Sequence, residues 1–90
     1  MENKIVHCKK DKYDIYIGRP SYYGNPFTIG KDGDREKVIQ KYIEYFYKRI
    51  SSDKIFKFRI KNLKDKILGC WCAPLKCHGD IIIEWLNKND

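Results

Sequence analysis

The segment from Leu68 to Asp80, Leu-Gly-Cys-Trp-Cys-Ala-Pro-Leu-Lys-Cys-His-Gly-Asp, constrains this chain most. Ile67-Leu68 leads into it, and Ile81-Ile82-Ile83-Glu84-Trp85-Leu86 leads out. A short apolar run, a Gly/Pro-containing loop and a second apolar run read as a buried strand handing over to a helix. The segment also carries three of the four cysteines and one of the two histidines. A loop at a helix start presents backbone N–H groups that favour anions. A cysteine there tends toward the thiolate. The segment therefore reads as an anion-binding loop, a nucleophile loop or a metal knot.

The rest of the chain supplies partners for that unit. Ile5-Val6-His7-Cys8 reads as a strand, Lys9 to Lys12 as a turn, and Tyr13 to Gly18 as a second strand in which Ile15 and Ile17 alternate with polar positions. So short a polar turn between strands predicts a hairpin, making part of the sheet antiparallel. Asp34 is a good N-cap. Behind it, Val38/Ile39, Tyr42/Ile43, Phe46 and Ile50 recur at helical spacing, so a helix is expected from about Arg35 to Arg49. Ile55 to Leu63 fits a strand or a helix, and the Ser52-Asp53 cap signal favours the helix. Lys66 to Trp71 is then a buried strand, and His78 or Asp80 to Asn87 a last helix. Three consecutive isoleucines are poor helix formers, so burial must hold that helix. The expected fold is one α/β domain over residues 1–90: a small mixed sheet of about three strands packed with two to three helices.

Charge narrows the partner. The chain carries 19 basic against 12 acidic residues, a formal net charge of +7 that points to an anionic ligand. The lysines are scattered, which equally suits a solubilising surface and argues against a nucleic-acid stripe. No apolar run reaches membrane-span length and no signal-peptide hydrophobic region precedes the first strand, so a cytoplasmic protein with no membrane partner is expected. In a reducing cytosol the four cysteines read as free, catalytic or metal-bound rather than as a disulfide framework.

Two loops carry the candidate chemistry. In the first, Arg19, Ser21, Tyr22, Tyr23, Gly24 and Asn25 combine a guanidinium, a hydroxyl, an amide and ring faces, a set that suits a phosphate plus a base. An ordered loop satisfying its own carbonyls is the alternative. In the second, Trp71, His78 and Gly79 would complete the ligand site. For an enzyme, Cys72 or Cys77 would be the nucleophile, with His78 as acid–base and Asp80 as its orienter or as a helix cap. His78 stands where a cysteine-phosphatase loop has arginine, and histidine cannot grip phosphate through two parallel bonds. No resident metal or cofactor is called for. If a metal were held, Cys70, Cys72, Cys77 and His78 would be the ligands, at a spacing unlike the common zinc knuckles. Otherwise each cysteine is a small core hydrophobe.

Tyr16-Ile17-Gly18-Arg19-Pro20, Gly24-Asn25-Pro26-Phe27, the Asp34-Arg35-Glu36 helix start and Leu68 to Asp80 together resemble the family called domain of unknown function 4326. The resemblance covers nearly the whole chain after Tyr13. It implies a small stand-alone α/β domain, frequent in viruses of bacteria, with no settled reaction. The leading expectation is a small nucleotide-binding protein. The resemblance extends this to a viral sponge that sequesters a nucleotide immune signal of the bacterial host, in the host cytoplasm. A nucleotide- or nucleoside-processing enzyme using the Cys/His loop and a nucleic-acid-binding module are the rivals. A homo-oligomer is left open, with Tyr45, Tyr47 and Trp85 as interface or core.

Overall fold

The computed structural model describes residues 3–72, 75 and 77–89. Its elements run β1 (Lys4–His7), β2 (Ile15–Tyr16), α1 (Arg35–Ser52), α2 (Lys54–Lys61), β3 (Ile67–Cys70) and α3 (His78–Lys88). The sheet order is β1-β3-β2, and both outer strands run parallel to β3. The α/β architecture is therefore as the patterning predicts. The antiparallel hairpin is not: β1 and β2 lie on opposite sides of β3, with Ile5 and Ile15 both registered to Leu68.

The reason lies in Gly69. The short connection from β1 to β2 crosses the face of the central strand at this residue. A Cβ there would sit 2.6 Å from two ring carbons of Tyr13. Any side chain would occupy the space the Tyr13 ring takes. Asp14 fastens the end of the crossing, its N–H donating to the Ile67 carbonyl at 2.7 Å and its carboxylate accepting from the Ile67 N–H at 2.8 Å.

The opposite face of the sheet carries the core. Ile5, Ile15, Ile17, Leu68 and Cys70 pack against Tyr42 and Phe46 of α1, Phe56 and Ile60 of α2, and Ile82, Trp85 and Leu86 of α3. Helix starts follow their caps. Asp34 Oδ1 accepts from the Lys37 N–H at 2.9 Å. Asp53 Oδ1 accepts from the N–H groups of Ile55 and Phe56, which begins α2 and resolves the ambiguous segment as helix. Phe56, Ile60 and Leu63 are buried from it, while Phe58 is exposed. Trp85 belongs to the core, whereas Tyr47 remains at the surface. Among the described residues, no helix is long and apolar enough to cross a membrane.

Candidate functional site

Parallel strands end on the same side of their sheet, and that is where α/β folds open their sites. Here the segments leaving β2 and β3 meet the first turns of α1 and α3 around a cavity of about 410 Å³. Gly18, Arg19, Asn25, Phe27, Thr28 and Ile29 line it from the first loop, Arg35, Val38 and Ile39 from α1, and Cys70, Trp71, Cys72, Cys77 and His78 from the second loop. The two loops singled out by sequence thus share one cavity.

Its walls are tied together. Trp71 Nε1 donates to the Tyr16 hydroxyl at 2.8 Å, and that hydroxyl donates to the Arg19 carbonyl at 2.8 Å. Trp71 is nevertheless 54% exposed, with the His7 ring edge-on to it at 5.6 Å and Lys9 Nζ 5.5 Å from its ring centroid. Arg19 Nη1 donates to Thr28 Oγ1 at 2.9 Å. The Arg19–Pro20 peptide is cis. Asn25 Oδ1 accepts from the Phe27 N–H at 2.8 Å, and Asp32 Oδ2 from the Thr28 N–H at 2.8 Å, which fixes the loop backbone. Gly24 meets the Arg19 backbone so closely that a Cβ would lie 3.2 Å from the Arg19 Cα and 3.3 Å from its N.

Of the expected ligand residues, Arg19, Asn25, Trp71 and His78 line the cavity, and Ser21, Tyr22, Tyr23, Gly24 and Gly79 do not. Tyr22 lies between two guanidiniums, Arg49 at 5.2 Å and Arg59 at 4.5 Å from its ring centroid, and its hydroxyl accepts from Arg49 Nη2 at 3.2 Å. Tyr23 packs edge-on to Tyr22. The Ser21 hydroxyl is buried with no hydrogen-bond partner among the described residues. Gly79 is a packing position: a Cβ there would approach Ile5 Cδ1 to 2.6 Å and Ile17 Cδ1 to 2.8 Å. Residues outside the expected ligand set, Phe27, Thr28, Ile29, Arg35, Val38 and Ile39 among them, supply much of the wall. Arg35 opens α1 and reaches the cavity from its first turn.

His78 is buried and its Nε2 is 2.8 Å from the Ile17 carbonyl rather than paired with a thiol. Burial holds its pKa below the ordinary imidazole value, although the backbone of Ile17, Cys70 and the backbone of Tyr23 pull the other way. Asp80 Oδ2 accepts from the Cys77 N–H at 2.9 Å, so this carboxylate caps α3 and does not orient His78. Cys70 and Cys77 sulfurs lie 3.5 Å apart. Either thiol can donate across this contact, which pulls Cys70 below the ordinary thiol range and, together with burial, pushes Cys77 above it. Cys70, Cys72 and Cys77 bring all three sulfurs within 4.8 Å of one another, and His78, the fourth ligand expected from sequence, is not in that group.

A model of the family described as "Domain of unknown function (DUF4326)" matches residues 4–88. The chain is similar to an uncharacterised 12.4 kDa protein of the nrdA-td intergenic region of Enterobacteria phage T4, 38% identical over 94% of this chain and 78% of the relative. It is also similar to an uncharacterised protein of Acanthamoeba polyphaga mimivirus, 35% identical over 89% of this chain and 76% of the relative. No solved structure matches the chain significantly.

Proposed function

Because the chain belongs to the family described as a domain of unknown function (DUF4326), whose description assigns no reaction, we propose its activity from the cavity itself: the protein binds a nucleotide. One observation carries this reading. A guanidinium, Arg19, and an accessible indole, Trp71, line one cavity of about 410 Å³. Ligand cavities run from roughly 300 to 1,000 Å³, so a mononucleotide is a fitting occupant. Arg19 grips a phosphate through parallel N–H bonds. Trp71 stacks on the base, a contact worth roughly 1–3 kcal/mol. Asn25 adds an amide at the same wall, and the net charge of +7 draws an anion toward the molecule.

Binding without turnover is the form of this proposal. Asp80 caps a helix and His78 faces a carbonyl, which supports a ligand held rather than transformed. With relatives in two viruses, one of them a bacteriophage, such a protein would serve to sequester a nucleotide signal of the host.

The test is a thermal-shift panel of linear and cyclic nucleotides and ADP-ribose derivatives. Hits are followed by calorimetry and by analysis of what heat denaturation releases. A ligand that raises the melting temperature and returns intact is expected. A ligand that returns altered would make the protein an enzyme, and no stabilisation across the panel would remove the nucleotide reading.

A further inference from the structure

We infer that Cys70, Cys72 and Cys77 form a three-thiolate site for a borderline or soft metal ion, zinc foremost, with a fourth coordination position open to the cavity. This goes beyond the nucleotide reading and does not depend on it.

Geometry carries the inference. In a tetrahedral zinc–thiolate site the Zn–S bonds are about 2.3 Å, which places neighbouring sulfurs about 3.8 Å apart. Here the Cys70–Cys77 pair is at 3.5 Å and no pair of the three exceeds 4.8 Å. No pair needs to close by more than about 1 Å to meet one ion. Cys70 ends β3, Cys77 is the N-cap of α3 and Cys72 lies between them, so the ligands sit on or beside regular elements that hold the approach.

Core packing accounts for the group poorly. Cys70 and Cys77 are buried, but Cys72 is only half-buried, and all three line the cavity. A small apolar role would be met by separate sulfurs and does not require three of them to converge. Three protein ligands with an open fourth position is the pattern of reactive rather than purely structural zinc. Thiolates select zinc and copper(I) over magnesium or calcium. Binding releases the thiol protons to solvent and leaves the oxidation states of metal and sulfur unchanged.

The test uses the full chain, reduced and stripped with chelator, titrated with Co²⁺ alone. One equivalent should give a thiolate-to-cobalt charge-transfer band and the intense visible bands of a tetrahedral ion, both abolished by Zn²⁺. Cys72→Ser, the least buried of the three changes, should weaken cobalt binding at least about tenfold while circular dichroism shows the fold retained. Cys8→Ser, outside the group, should leave binding unchanged. Added imidazole should shift the visible bands by entering the fourth position. A folded wild-type chain with no charge-transfer band would overturn the site, as would Cys72→Ser binding cobalt like wild type. Bands indifferent to imidazole would overturn the open position.

Discussion

His78 holds Ile17: its Nε2 lies 2.8 Å from that residue's carbonyl oxygen, in a place where both residues are buried. The contact joins the first turn of α3 to the residue just beyond β2 and so sets how the two loops meet. Burial of this ring makes the protein's stability depend on pH. Burial lowers the folded-state pKa of His78 below the unfolded value of about 6.5. The unfolded chain then binds more protons than the native one just below that pH, and stability falls as pH falls. This contribution is complete above the unfolded pKa and is lost down to the folded one. The wild-type melting temperature should drop between about pH 7 and pH 5. In His78→Gln, which keeps a donor but cannot titrate, melts followed by circular dichroism should drop less over the same range. Equal drops would show that His78 titrates alike in both states.

Arg19 is the cation we assign to the phosphate. Arg19→Ala should weaken nucleotide binding by roughly ten- to a hundredfold, the span of one or two hydrogen bonds to a charged group. Arg19→Lys should recover only part of this, because a lysine offers no planar fork. Calorimetry on both variants checks it, and wild-type affinity in Arg19→Ala would sink the assignment.

Gly24 should matter without touching the ligand. Its missing Cβ leaves room for Arg19: in Gly24→Ala the added methyl would stand 3.0 Å from Arg19 Cγ and 3.2 Å from its Cα, so Arg19 must give by a few tenths of an ångström. Affinity should fall with Arg19 still present, and the loss should largely vanish in an Arg19→Ala background. Additive losses in that double-mutant cycle would show that Gly24 acts elsewhere.

Tyr22 and Arg49 form a structural clamp remote from the cavity wall. Arg49 lies 4.3 Å from the Phe56 ring centroid, bonds the Tyr22 hydroxyl and pairs with Asp53 at 3.3 Å. Arg49→Met should lower stability by about 1–2 kcal/mol, a discounted value because the side chain is partly solvated. Nucleotide affinity should be unchanged in Tyr22→Phe. A large loss of affinity there would place Tyr22 at the ligand after all.

Phe46 is fully buried among Tyr42, Phe56 and Trp85. Phe46→Ala should cost roughly 3–5 kcal/mol, a large share of the roughly 5–15 kcal/mol available to a typical domain. Urea denaturation would register this as a much lower midpoint.

The helices were legible because their signals are local. Asp34 and Asp53 cap where such residues should, and Val38, Ile39, Tyr42 and Phe46 bury the stripe their spacing defines. The strand pairing was not legible, because a short polar turn does not reveal that the chain will cross a glycine 56 residues beyond Tyr13. The same holds within the site. Arg19, Asn25, Trp71 and His78 share a cavity because two strands run parallel, which no residue near them announces. Tyr22 looked like a stacking platform from its neighbours in sequence, but two arginines from distant helical positions claim its ring. The three sulfurs converge because Cys77 caps a helix that returns over the end of β3, whereas spacing alone described a poor metal knot.

The strand order carries a consequence for how the molecule is made. β3 is the middle of the sheet but, among the described residues, follows both outer strands in the chain and so leaves the ribosome after them. Until residues 67–70 emerge, β1 and β2 have no edge to pair with, and the first two helices can only cluster around an unfinished face. Assembly of the sheet, and with it the cavity, therefore waits on residues 67–70, more than 50 residues after β2. A nascent chain stopped short of Ile67 would expose Ile5, Ile15 and Ile17 together with the aromatic faces of α1 and α2, and would invite aggregation or chaperone capture.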